Sequence, residues 1–218
     1  MKSLKQKYNS LSKRIWNPKV YNYEYNFSKA ISNTKNLGLK PINNFEIEKF
    51  RFSSDERQKI INIILHQIYS VDNLQIEDLA LKCFLISNQL QAFLKKHFEI
   101  DSVITTGNIY INRLQIHYEK YSILKQRLNN PNFNKQIKFH TWLTLKNLDV
   151  IDLTLTPNLW LDFKMSGTEL KREDYEKIAW VETKNIDRKG AVYEPKIIGY
   201  EYIERINKPV KLYGWINN

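Results

Sequence analysis

Two kinds of hydrophobic pattern follow one another along this chain, and their order restricts its fold more than any other feature. Between residues 53 and 98 apolar residues recur at helical spacing, whereas between residues 102 and 155 they alternate as in strands. Helices followed by strands are typical of α+β folds and not of repeated βαβ units. We therefore predict an α+β fold in which helices pack on an antiparallel sheet.

The helical part contains two predicted helices. The first opens with a capping-box pattern, Ser53 to Glu56, and continues with apolar residues at helical spacing. The second begins near Cys83 and ends at a run of lysines, and the acids Asp72, Glu77 and Asp78 are expected to support its start. The chain thus has its only cysteine at a predicted helix N-terminus.

Alternating residues predict the strands. The stretches SVITTGNIYI, LQIHYE, IKFHTWLTL and DVIDLTL are predicted strands of the central region. Alternate aromatic residues in VYNYEYNF predict a further strand near the N-terminus, and GYEYIERI and VKLYGWI predict two late strands. The polar stretch ILKQRLNNPNFNKQ, which contains a proline, predicts a loop.

The stretch HTWLTLKNLDVIDLT predicts a hairpin that holds a histidine and an aspartate. Strand alternation puts His140 and Trp142 on one face of the first strand. A three-residue loop, Leu145 to Asn147, would place His140 directly opposite Asp152, with their Cβ atoms about 4.5–5.5 Å apart. A carboxylate at that position fixes the imidazole tautomer and stabilises its charged form, which is the orienting role in a catalytic triad.

Composition excludes several classes of site and protein. A single cysteine excludes an internal disulfide and a cysteine-rich zinc site. No His, Asp or Glu residues stand at a recognisable metal-ligand spacing, so we predict neither a metal nor a cofactor. No long apolar run occurs, and none follows the basic N-terminus, so we expect no membrane span and no signal peptide. These features favour a cytoplasmic protein, or one delivered to another cell without a classical signal peptide.

Positive charge is concentrated near the N-terminus. The net charge is +11, and residues 1–51 contain eleven basic side chains against three acidic ones. One interpretation is an N-terminal extension that faces an acidic or polyanionic partner. The other is a solvated surface in a lysine-rich chain.

Cys83, His140 and Asp152 together have the chemistry of a nucleophilic thiol site. The thiolate is the nucleophile, and both a helix N-terminus and an adjacent imidazole favour that form. Taken singly, each residue has an ordinary structural interpretation: a small core residue, a cross-strand partner and a surface acid beside a turn. Taken together, they predict a triad.

This layout resembles the transglutaminase-like cysteine enzymes, a branch of the papain-like fold that includes arylamine N-acetyltransferases and bacterial transglutaminase-like peptidases. The matching residues are Cys83 in LKCFLISNQLQAFL, Gly107 in VITTGNIYI, His140 and Trp142 in FHTWLTL, and Asp152 and Thr154 in VIDLT. The resemblance covers about residues 74–156 and implies a papain-like core between N- and C-terminal extensions. It implies Cys83 as nucleophile, His140 as base and Asp152 as orienter.

The resemblance also implies residues that contact the substrate. Trp142, in the H-x-W motif, is expected to help bind it. Papain-type enzymes take an oxyanion-hole donor from a glutamine six residues before the cysteine, but here that position holds Glu77. Gln75 is the alternative donor, and the backbone N–H of Cys83 would contribute to the same hole.

The sequence therefore predicts three segments and one principal function. Residues 1–52 form a basic, aromatic extension, residues 53–160 the catalytic core, and residues 161–218 a C-terminal α+β extension packed on the core. The expected function is a cysteine-dependent amide hydrolase, of the peptidase or amidase kind, or an acyl transferase, with a protein or peptide amide as substrate. Two alternatives stay open: a catalytically inactive papain-like fold that binds protein, and a basic protein that binds nucleic acid.

Overall fold

A computed structural model describes residues 22–40, 45–111, 114–130, 133, 136–167, 178–183 and 190–206. The helices are α1 (Tyr23–Asn36), α2 (Ser54–His66), α3 (Ile76–Leu79), α4 (Cys83–Phe98), α5 (Tyr121–Asn129), α6 (Leu155–Met165) and α7 (Glu201–Ile206), with a π-helical turn at Gln67–Val71 after α2. The strands are β1 (Ser102–Ile111), β2 (Leu114–His117), β3 (His140–Leu145), β4 (Val150–Asp152), β5 (Ala179–Val181) and β6 (Ala191–Ile198).

The described strands form one sheet with the order β2-β1-β3-β4-β5, and β6 also pairs with β1. The β1–β2, β1–β6, β3–β4 and β4–β5 pairs are all antiparallel. Helices combined with an antiparallel sheet confirm the predicted α+β class. The predicted strands β1, β2, β3 and β4 all form, and the run after β4 turns into helix α6.

Contacts divide the chain into two compact units. The first unit takes its described residues from within 22–40, 105–140 and 182–206. The second takes them from within 45–104, 141–167 and 178–181. The division falls inside β1 and β3, so each of these strands has residues in both units. The three segments predicted from the sequence divide the chain by composition and stay a prediction.

In the first unit, helix α1 packs against strand β6. The Asn33 side-chain amide donates to the Lys196 carbonyl at 3.0 Å, and the Ile198 N–H donates to the Thr34 hydroxyl at 2.9 Å. Phe27 is completely buried on the same helix. One face of α1 therefore makes both apolar and polar contacts that fix it in this unit.

In the second unit, helices α2 and α4 share a core with strands β3 and β4. Its buried residues include Ile60, Ile64, Leu90, Leu94, Leu143, Leu145, Ile151 and Leu153. The helical residues follow the helical spacing, and the strand residues follow the alternation, that the sequence shows. The predicted apolar faces of this unit are thus confirmed.

Helix α2 begins at the predicted capping box. The Glu56 N–H donates to the Ser53 hydroxyl at 3.2 Å, and the Ser53 N–H donates to the Glu56 carboxylate at 2.7 Å. The two bonds satisfy two backbone donors that a helix start otherwise leaves unpaired. Among the described residues, no helix combines the length and the apolar character that crossing a bilayer requires.

The strand predicted from VYNYEYNF is wrong in its described part, because helix α1 begins at Tyr23. The Asn22 side chain caps the helix by accepting from the Tyr25 N–H at 2.9 Å. Tyr23, Phe27 and Ala30 are buried at helical spacing, whereas Tyr25 is 49% exposed. The alternate aromatic residues therefore do not share one buried face.

Two further predictions of local structure are wrong. Most of helix α5 lies in the stretch predicted as a polar loop, and Leu124 of this helix is buried. The stretch GYEYIERI forms helix α7, in which Tyr202 and Ile203 are buried. The Tyr202 hydroxyl donates to the Leu124 carbonyl at 3.1 Å, so these two helices support each other. The late strand predicted from VKLYGWI lies outside the described residues.

Candidate active site

Cys83 is the first residue of helix α4, as the sequence predicts. It is partly buried and takes part in no disulfide. The N-cap residue, Lys82, makes no side-chain capping bond, and the first turn of α4 contains no acidic residue. The positive end of the helix dipole at Cys83 is therefore not offset by a carboxylate of that turn, which favours the thiolate.

Two of the acids that precede Cys83 support a different helix from the predicted one. Glu77 and Asp78 lie in the first turn of the short helix α3, and the Asp78 carboxylate accepts from the Gln75 N–H at 2.8 Å. Helix α3 ends at Leu79, and a turn separates it from α4. These carboxylates thus act at the start of α3 and not at the start of α4.

A hydrogen bond to a residue of α6 stabilises the turn between α3 and α4. The Leu81 N–H donates to the Asn158 side-chain carbonyl, Oδ1, at 2.7 Å. Asn158 lies in helix α6 and is buried, whereas the Leu81 side chain is 76% exposed. The backbone two residues before the cysteine is therefore fixed by a buried amide.

The face of α4 that carries Cys83 is bonded to strand β3. Ser87 lies one helical turn after Cys83 and on the same face. Its hydroxyl donates to the Thr141 carbonyl at 3.2 Å. Thr141 directly follows His140 along the chain. The bond joins the cysteine-bearing helix face to the beginning of β3.

The predicted hairpin forms, but its register differs from the prediction. Leu143 pairs with Ile151 and Thr144 with Val150. Continuing this register places Asp152 opposite Trp142 and not opposite His140, so the expected direct pairing of His140 with Asp152 is wrong. The loop comprises residues 146–148 instead of 145–147, and the Leu145 N–H closes it by donating to the Asp149 carbonyl at 2.8 Å.

The Asp152 carboxylate is fixed by its own chain. Its Oδ1 atom accepts from the Thr154 N–H at 2.8 Å, from the Thr154 hydroxyl at 3.0 Å and from the Leu155 N–H at 3.1 Å. Leu155 is the first residue of α6, so the same oxygen satisfies a donor at that helix start. The aspartate and threonine of the D-x-T motif therefore form one rigid local structure, with Asp152 buried.

His140 is completely buried at the first position of β3. Its ring stacks on the ring of His117, with the centroids 4.7 Å apart and the planes 24° from parallel. Positive charges on both rings would repel at this distance, so the protonation of one histidine disfavours that of the other. The sequence does not indicate this pair, because His117 lies in β2 and no local spacing relates it to His140.

The two predicted substrate-binding residues lie in very different environments. Trp142 is completely buried in β3, which suits a residue that packs inside the fold. Gln75 is exposed at the N-cap of α3. Both assignments stay predictions. Within the described ranges, no group of three or more His, Cys, Asp and Glu side chains is arranged to hold a metal ion.

The basic stretch at the beginning of the chain, residues 1–21, lies outside the described residues. Its predicted acidic or polyanionic partner therefore stays a prediction. Comparison of the chain with protein-family models, with curated proteins and with solved structures gave no match.

Proposed function

We propose that this protein is a cysteine-dependent amide hydrolase or acyl transferase with a transglutaminase-like, papain-like core. In this proposal Cys83 forms an acyl-thioester, His140 is its base and Asp152 orients His140. A protein or peptide amide is the substrate class that this chemistry suits. The acceptor that releases the acyl group is water in the hydrolase and an amine in the transferase.

The observation that carries the proposal is the bond from Ser87 to the Thr141 carbonyl. It attaches the helix face of Cys83 to the strand position next to His140. A thiol–imidazole pair requires the two side chains to come within hydrogen-bond reach, and the bond between α4 and β3 supports that requirement. The shared core of α4 with β3 and β4 supports a papain-like arrangement in the same way.

The environment of each residue supports its proposed role. The uncapped start of α4 favours a thiolate at Cys83. Burial of His140 and the stacking of its ring on His117 keep that ring in a fixed place. The three bonds to Oδ1 hold the Asp152 carboxylate in one orientation, as an orienting group requires.

The proposed reaction has two steps. In the first, the thiol proton passes to His140, the sulfur bonds to the amide carbon, and the carbon–nitrogen bond breaks as His140 protonates the leaving amine. In the second, His140 removes a proton from water or an amine, which bonds to the acyl carbon and releases the thiolate. The thiolate then regains its proton from His140, so the enzyme is unchanged.

The direct test is detection of the acyl-enzyme. The full chain is mixed with a p-nitrophenyl ester, and p-nitrophenolate release is followed together with the intact protein mass. We expect a burst of release and one acyl adduct that maps to Cys83. Cys83→Ala should abolish both, and His140→Ala should slow acylation by about 10²–10⁴-fold, the usual contribution of a general base.

His97→Ala is the matched control. His97 is exposed in the last turn of α4 and its ring contacts Phe93, so its removal should leave acylation unchanged. Acylation of lysines with Cys83 unmodified would contradict the proposal. So would a His140→Ala variant that forms the Cys83 adduct as fast as the wild type.

A further inference from the structure

The turn that separates α3 from α4 has the geometry of a type II turn. Ala80 has φ −62° and ψ 139°, and Leu81 has φ 61°. The Lys82 N–H donates to the Leu79 carbonyl at 3.4 Å, which closes the turn. The third position of such a turn requires a positive φ, and glycine is the residue that supplies it without steric cost.

The sequence itself does not favour this turn. The stretch IEDLALKCFLISNQLQAFLKKHF, from the start of α3 to the end of α4, contains no glycine and no proline. Ala80, Leu81 and Lys82 are all strong helix formers. Leu81 gains no burial in return for its left-handed backbone, because its side chain is 76% exposed. Local propensity would therefore continue α3 into α4 as one helix.

A single continuous helix would remove the proposed thiolate site. Cys83 would then lie in a helix interior, with its N–H bonded to the carbonyl of Leu79 and no helix N-terminus beside the thiol. The same continuation would require the Leu81 N–H to bond to the carbonyl of Glu77. In the structure, that N–H donates to Asn158 instead.

Asn158 is well placed to impose the break. It is buried in the first part of α6, and its own N–H donates to the Thr154 carbonyl at 3.0 Å. The start of that helix is fixed by the bond from the Leu155 N–H to Asp152. The Asn158 oxygen that accepts from the Leu81 N–H therefore lies near the start of a helix that Asp152 stabilises.

We propose that Asn158 is a positioning residue for Cys83. By accepting the Leu81 N–H, it holds the type II turn, interrupts the helix and makes Cys83 the first residue of α4. The inference rests on the proposed function, because it concerns the thiol that acts as nucleophile. It adds that Asp152 supports the cysteine through α6, apart from its role as orienter of His140.

The test compares four full-length proteins: the wild type, Asn158→Ala, the double variant Asn158→Ala with Leu81→Gly, and Asn62→Ala. Asn62 lies on α2 and its side chain bonds to Gln58, so its variant is the control for loss of an asparagine. Two quantities are measured: the pH dependence of iodoacetamide labelling at Cys83, and the backbone NMR shifts of Ala80 to Lys82.

In Asn158→Ala we expect helical shifts at these three residues and an apparent thiol pKa that rises by about one unit, towards the ordinary value of about 8.5. The double variant should return both quantities towards the wild type, because glycine adopts the turn and disfavours the helix. A residue that only stabilised α6 would not be rescued by a glycine at position 81. The Asn62→Ala control should match the wild type.

The outcomes separate this inference from the proposed function. A wild-type thiol that labels slowly, with an ordinary pKa, would overturn both. A wild-type thiol of low pKa that Asn158→Ala leaves unchanged would overturn the inference alone. A rise in Asn158→Ala that Leu81→Gly does not reverse would also overturn it, because the effect would not pass through the turn. If Asn158→Ala does not fold but the double variant folds with a low thiol pKa, the inference is supported. If neither variant folds, the inference is overturned, because the glycine would have failed to restore the turn.

Discussion

At the scale of single residues, left-handed backbone at a residue that is neither glycine nor asparagine occurs in three turns of the described part of the chain. Leu81, Glu99 and Leu148 have φ of 61°, 57° and 70°. Glycine or asparagine is the usual sequence signal for this conformation, and none of the three positions carries it. The interruption of the helix before Cys83 and the end of the hairpin loop therefore cannot be predicted from glycine or asparagine in the sequence.

Glu99 allows a test of how much left-handed backbone at a non-glycine residue lowers the free energy of unfolding. It ends α4 in a left-handed (αL) cap, in which the Glu99 N–H donates to the Lys95 carbonyl and the Ile100 N–H donates to the Leu94 carbonyl, both at 3.2 Å. Glu99 is exposed, so its side chain gains no burial there. Its negative charge also opposes the dipole at the helix C-terminus.

We predict that Glu99→Gly raises the free energy of unfolding by about 1 kcal/mol, because glycine removes the steric cost of the left-handed backbone. In a chain of this size that corresponds to about 2–4 °C in Tm. Glu99→Ala is the control, since it removes the charge but keeps a Cβ. Equal gains from alanine and glycine, measured by thermal unfolding, would show that the charge alone matters.

At the scale of secondary structure, periodicity in the sequence predicts buried faces better than it predicts partners. The loop lies one residue later than expected, and this moves the hairpin register by two residues. Because side chains alternate with a period of two, every residue keeps its face. Leu143 and Ile151 are therefore in the core as predicted, while the partner of Asp152 changes from His140 to Trp142.

The missed helices have a related cause. In α1, tyrosines at alternate positions give the pattern typical of a strand, but the buried positions follow the helical repeat from Tyr23 to Ala30. In α7, helix formation is supported by a bond from Tyr202 to a residue 78 positions away. The stack of His117 on His140 is likewise non-local. Contacts between residues distant in sequence cannot be inferred from the spacing within one segment.

Asp152 has two roles that different substitutions should separate. Asp152 is buried and its Oδ1 atom accepts three local bonds, so Asp152→Ala removes the acceptor of these Thr154 and Leu155 donors. We predict that this variant lowers the free energy of unfolding by about 1–3 kcal/mol, the usual cost of unsatisfied buried groups. Asp152→Asn keeps an oxygen acceptor and should lose less than half as much, while it loses the charge that stabilises a protonated His140.

Denaturant titration combined with p-nitrophenyl ester turnover measures both roles. Asp162→Ala is the control, because Asp162 is exposed on α6, the helix whose start Asp152 supports. It should change stability by less than about 0.5 kcal/mol. An Asp152→Asn variant with full turnover would remove Asp152 from the proposed triad.

At the scale of the whole molecule, charge and proposed chemistry occupy different parts of the chain. Residues 1–20 contain six basic side chains and no acidic one, and they precede the Asn22 cap of α1. We predict that a chain lacking residues 1–20 elutes from heparin at lower salt but acylates Cys83 at the wild-type rate. Loss of acylation in a truncated protein that still folds would show that this stretch contributes to the chemistry.

The central claim is that Cys83 is a nucleophile activated by His140. It is tested most directly by the pH dependence of iodoacetamide labelling at the single cysteine, in wild type and in His140→Ala. The uncapped start of α4 and a paired imidazole both favour the thiolate, so we predict rapid labelling with an apparent pKa clearly below about 8.5. Removal of His140 should move that value towards 8.5, with a smaller shift in Asp152→Ala. Slow labelling of the folded wild type that speeds up only on unfolding would contradict the claim.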